Sequence, residues 1–122
     1  MNKLLASLFF AFTLISAASA QTVYEYMQIS AIESVVPGGL GRSRLITTDA
    51  NGQIMEKELL NFFSLVGINF GNVRNNDQVI AERMNELAKE GWELNQTVSG
   101  TYSADKSTGI FITRYIFRRP KK

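Results

Sequence analysis

Ile80-Ala81-Glu82-Arg83-Met84-Asn85-Glu86-Leu87-Ala88-Lys89-Glu90-Gly91-Trp92-Glu93-Leu94 changes its hydrophobic period at the glycine. Before Gly91, Ile80, Met84, Leu87 and Ala88 share one face of a helix, and Glu82, Asn85, Glu86 and Lys89 share the other. Asn75 is a candidate N-cap with Gln78 three residues on, so the helix is expected over Asn75 to Glu90, closed by Gly91 in the left-handed C-cap position. After the glycine the period becomes two. Trp92, Leu94, Gln96, Val98, Gly100 and Tyr102 alternate with Glu93, Asn95, Thr97, Ser99 and Thr101, which predicts a strand with one face inward and one outward.

Working outward, Ser103 to Gly109 read as a polar loop, and Ile110 to Arg119 as a strand apolar on both sides, closed by Pro120. Burial on both faces places that strand centrally. Upstream, Val23, Glu25, Met27, Ile29 and Ala31 alternate with Tyr24, Tyr26, Gln28, Ser30 and Ile32 in a further strand. Pro37-Gly38-Gly39-Leu40-Gly41 interrupts it, Arg42 to Thr48 resume extended structure, and Asp49-Ala50-Asn51-Gly52 suits a hairpin turn before Gln53 to Lys57. Leu59 to Phe70 fits neither period and is expected as a short helix running into a buried loop. The fold class is therefore α+β: one small domain, mainly an antiparallel sheet of about five strands packed by one principal helix.

The opening of the chain carries a different signal. Lys3 forms a positive n-region, Leu4 to Ile15 an uncharged apolar run, and Ala18-Ser19-Ala20 a small-x-small cleavage pattern. Residues 1–20 are thus expected as a signal peptide, with the mature protein, residues 21–122, starting at Gln21 in the periplasm or outside the cell. No stable membrane anchor is expected after cleavage, because the apolar run lacks a charged stop-transfer flank and no cysteine follows it for lipidation.

The chain has 122 residues, no cysteine and no histidine. Thiol nucleophiles, Ser-His pairs, imidazole bases and Cys/His zinc sites are excluded with them. With Lys3 removed, 12 basic residues face 11 acidic ones, a balance that implies no nucleic-acid partner. Three short motifs carry little. Pro37 to Gly41 lacks the Gly-Lys-Ser/Thr ending of a phosphate loop, Ser103-Ala104-Asp105-Lys106 falls in a loop rather than at a helix start, and the Asn95-Gln96-Thr97 sequon lies within a strand.

Tyr24-Glu25-Tyr26, the run Met84 to Leu94 with its Gly-Trp-Glu-Leu, and the basic ending Tyr115-Ile116-Phe117-Arg118-Arg119-Pro120-Lys121-Lys122 together resemble the small bacterial family catalogued as domain of unknown function 4177. The stretch from Pro37 to Val73 is longer than that family's usual link between first strand and helix. The resemblance implies no catalytic residue and no cofactor.

No catalytic, metal or cofactor-binding residue is singled out, and the expected function is a non-enzymatic binding or accessory module of the cell envelope. Its partner would be an envelope or extracellular protein. The alternatives are a small enzyme using carboxylates or hydroxyls alone and a self-assembling structural protein; the sequence leaves the oligomeric state open. Candidate contact residues are Phe62, Phe63 and Phe70, in the longest apolar segment beyond the leader, together with Arg118 and Arg119 of the basic end. Glu93 is expected on the opposite face of its strand, either paired with a basic residue of the last strand such as Arg114 or Arg118 or simply solvated, and Trp92 is expected to pack between helix and sheet.

Overall fold

The computed structural model describes residues 21–122, and the expected signal peptide lies outside the described residues. Along the chain come β1 (Tyr24–Val35), β2 (Ser43–Thr48), β3 (Ile54–Leu59), β4 (Phe63–Ser64), β5 (Gly67–Ile68), α1 (Phe70–Lys89), β6 (Glu93–Ser103) and β7 (Gly109–Pro120). Five strands form one sheet in the order β3-β2-β1-β7-β6, every pair antiparallel, while β4 and β5 form a separate two-stranded ribbon. This is the α+β domain of a five-stranded antiparallel sheet and one principal helix. β7 is an interior strand, but the middle of the sheet is β1.

Register decides where the core sits. Met27 lies opposite Phe117, Ile29 opposite Tyr115 and Thr47, and Ala31 opposite Thr113 and Leu45. Antiparallel partners share a face, so these residues form one surface. Ile80 and Leu87 of α1, together with Trp92 and Leu59, complete the core against it. The opposite face carries Tyr26, Ile32, Ile46, Val98, Ile112 and Ile116, and no helix packs on it among the described residues.

The helix ends as its sequence predicts. Gly91 takes φ +85°, its N–H donates to Ala88 O at 3.1 Å, and Trp92 N–H donates to Leu87 O at 3.0 Å. That pair of bonds is a Schellman motif, and the accompanying apolar contact is between Trp92 and Leu87, both in the core. The β2–β3 turn also follows local chemistry. Asp49 Oδ1 accepts from the N–H groups of Asn51 and Gln53, both at 2.8 Å, and Gly52 supplies the residue at φ +80°.

Three expectations are corrected. The helix begins at Phe70 rather than Asn75, capped by Asn69, whose side chain accepts from Gly71 N–H at 3.0 Å and Asn72 N–H at 3.1 Å. The extra first turn escapes the apolar pattern because the inward position at 76 is an asparagine, fully buried, while Ala88 faces solvent. Leu59 to Phe70 forms the end of β3, a short link and the β4–β5 ribbon, not a helix and buried loop. Finally, β6 is an edge strand exposed along its whole length, without a buried side. A bulge between Leu94 and Gln96 adds a residue opposite Phe117 and Ile116, so Leu94 faces the helix side while Gln96, Val98 and Tyr102 face the open side.

Candidate functional site

Side-chain amides tie the β4–β5 ribbon to the end of the sheet. Asn61 acts as a peptide mimic: its Oδ1 accepts from Val36 N–H at 3.0 Å, and its Nδ2 donates to Val36 O at 2.9 Å and Phe63 O at 2.8 Å. Phe62 N–H donates to Ser34 O at 2.9 Å and Asn69 N–H to Phe62 O at 2.7 Å. Asn76 repeats the device on the free edge after β3, accepting from Leu60 N–H at 2.7 Å and donating to Leu60 O at 2.8 Å. Buried amides in such number are tolerated because nearly every donor and acceptor is matched.

With its base held, the ribbon presents apolar side chains outward. Leu65 and Val66, at the tip, are 89% and 97% exposed, and Ile68 and Phe70 are exposed behind them. Leu40 is exposed next to Gly39, which abuts the Phe63 carbonyl. Single exposed apolar residues are ordinary, but three along one short ribbon, with Leu40 of the neighbouring turn and Phe70 at the start of α1 beside them, make a candidate contact surface.

The three phenylalanines singled out from the sequence occupy different settings. Phe62 is half-buried, its ring 5.8 Å from that of Phe111; Phe63 is half-buried in β4; Phe70 is exposed at the start of α1. Leu65 and Val66, which project furthest, were legible only as part of the apolar run, because a two-residue turn before Gly67 has no strong local signature there. Arg118 and Arg119 point to opposite faces of β7. Arg118 lies 4.6 Å from the Tyr24 ring centroid and 3.8 Å from the Glu93 carboxylate. Arg119 lies 4.3 Å from the Trp92 ring centroid, pairs with Glu25 and donates to Glu90 O at 3.1 Å. Both guanidinium groups are engaged within the domain rather than offered together as a cationic patch.

Among carboxylates, Glu33 is perturbed upward. Desolvation raises its pKa above 4.5, the Asn76 Nδ2 bond at 3.1 Å opposes this, and the nearby Asp77 charge adds to the rise. Tyr115 is also raised, by burial first and then by Glu33 and Asp77. A carboxyl whose folded-state pKa is raised holds its proton more tightly when folded. Its contribution to stability is therefore full below the unfolded value and is lost as pH climbs through the raised one. Replacing Glu33 by Gln, which keeps an acceptor for Asn76, should flatten the fall in stability just above pH 4.5; denaturant titrations from pH 4 to 7 with unchanged slope would refute the assignment.

An open cleft of about 270 Å³ lies beside the ribbon, lined by Val35, Phe63, Phe111 and the β6–β7 loop, and Glu33 is not among its lining residues. That loop is ordered by Asp105, whose carboxylate accepts from the Ser107 N–H at 2.7 Å, the Ser107 hydroxyl at 3.0 Å and the Thr108 N–H at 2.7 Å, and is held below its ordinary pKa chiefly by these bonds. Ser103 Oγ is spent on Asp105 O at 2.6 Å within the same loop. No group of three Asp or Glu side chains among the described residues could hold a metal ion, and no described helix is long and apolar enough to cross a membrane. Comparison with family models, curated proteins and solved structures finds no match to this chain.

Proposed function

We propose that the chain is an exported, non-enzymatic binding module of the cell envelope that contacts a protein partner through the β4–β5 ribbon. The observation that carries this reading is the near-complete exposure of Leu65 and Val66 at the tip of a ribbon whose base is held by buried amides. Rigidly presented apolar side chains lose little conformational entropy on docking, which is what a contact surface requires. The resemblance to domain of unknown function 4177, which implies no catalytic residue, points the same way. Lys3, Leu4 to Ile15 and Ala18-Ser19-Ala20 support export.

The test is capture by tagged protein from envelope extracts, with the captured partner identified by mass spectrometry and the bait recovered with Gln21 at its N-terminus. Val66→Asp should leave circular dichroism and thermal stability unchanged, because the side chain has no buried environment to lose, and should reduce capture at least about tenfold. Phe62→Ser should instead lower folding stability, through its packing on Phe111. Undiminished capture by Val66→Asp would rule out the ribbon as the contact.

A further inference from the structure

The two edges of the sheet are treated differently. β3 is six residues long, carries Glu56, Lys57 and Glu58, and its continuation at Leu60 is closed by the Asn76 side chain. Charge, shortness and a covering group are the usual means of protecting an edge. β6 has none of them between Gln96 and Ser103: no charge, no proline and a bulge only at its start.

Hydrogen-bond parity shows which of its backbone groups have no partner strand among the described residues. Ala104 N–H donates to Thr108 O at 2.9 Å across the loop, so the even-numbered residues from Gln96 to Tyr102 direct their N–H and C=O at β7. Thr97, Ser99, Thr101 and Ser103 direct theirs at the free edge. We infer that this edge pairs with the same edge of a second copy, antiparallel across a two-fold axis at Gly100, joining the two sheets into one of ten strands.

Self-complementarity of the register commits the edge to a copy of itself. About the axis, Ser99 meets Thr101 of the other copy and Thr97 meets Ser103, each a pair of outward-directed residues able to exchange two backbone bonds, about eight in all. On the open face Val98 meets Tyr102, both exposed in the single chain. Gly100 meets Gly100 on the axis, where a Cβ would have nothing within 4 Å in its own chain. Pairing one residue-pair further along in either direction sets Val98 against Gly100 or against Ala104 and loses the Val98–Tyr102 contact. The inference does not depend on what the ribbon binds.

The test uses the absence of cysteine from the chain. Gly100 pairs with its twin at a non-hydrogen-bonded position, where Cα atoms lie about 4.5 Å apart, within the span of a disulfide. Protein purified as the producing cell processes it and bearing Gly100→Cys should oxidise to a covalent dimer on a non-reducing gel, and Glu56→Cys on the other edge should not. In sedimentation the unsubstituted protein should be a dimer. Thr101→Pro, which removes an outward N–H, and Val98→Lys, which charges the paired face, should each weaken it at least about tenfold with circular dichroism unchanged. A monomer at about 100 μM without the Gly100→Cys cross-link would overturn the inference, as would a dimer that persists in Val98→Lys or a cross-link that forms equally at position 56.

Discussion

Trp92→Ala is expected to destabilise the domain by about 3 to 5 kcal/mol, read as a shift of the denaturation midpoint with unchanged slope. The ring is only 5% exposed and sits where α1 ends, joined in the core by Leu87 and Phe117. Its backbone N–H closes the Schellman motif on Leu87, and Arg119, held by Glu25 and by the Glu90 carbonyl, covers its outer face. Truncation leaves a cavity beneath a fixed guanidinium group, which has little freedom to collapse into it. Trp92→Phe separates packing from polarity. The indole Nε1 is buried and finds no acceptor among the described residues, so its loss removes no hydrogen bond, and this variant should cost less than about 1.5 kcal/mol. Equal losses for Phe and Ala would show that the volume of the aromatic ring is not what holds the helix end.

Gly41→Ala should cost on the order of 3 kcal/mol, although glycine-to-alanine changes in extended chain are usually mild. The left-handed region is not the reason here. A Cβ at position 41 would overlap Asn61 Oδ1 and Ser34 Oγ, which belong to buried side chains held in place by hydrogen bonds. Ser34 and Ser43 hydroxyls lie 2.9 Å apart, Ser34 Oγ donates to Asn61 Oδ1 at 3.1 Å, and Ser43 Oγ accepts from Ser34 N–H at 2.9 Å. Displacing Asn61 would unpair Val36 and Phe63 as well, so one methyl group strains or leaves unsatisfied several buried polar atoms. Asn61→Asp checks the cause without adding volume: a carboxylate cannot donate to Val36 O and Phe63 O, and its loss of stability should approach that of Gly41→Ala near neutral pH. Thermal denaturation within about 2 °C of the parent for Gly41→Ala would mean that the network yields freely.

The elements legible in the sequence are those whose cause is local. β1 alternates over most of its length, Asp49 to Gly52 contains both the acceptor and the glycine of its turn, and Glu86 to Trp92 contains every group of the helix C-cap. The Leu59 to Phe70 run is recognisable in the sequence as surplus apolar surface with three phenylalanines as its anchors, whereas exposure is greatest at Leu65 and Val66 because they form the two-residue turn of the ribbon. What only the tertiary structure decided depends on partners distant in the chain. Asn76 occupies an inward helix position because the Leu60 backbone needs a donor and an acceptor there, and that requirement hides the first turn of α1 from any apolar pattern. Alternation in β6 indicates a strand but not a buried side. One bulge reverses its faces after Leu94, and its place at the sheet edge, beyond the reach of α1, leaves both faces exposed in the single chain and a row of backbone donors and acceptors without a partner strand among the described residues.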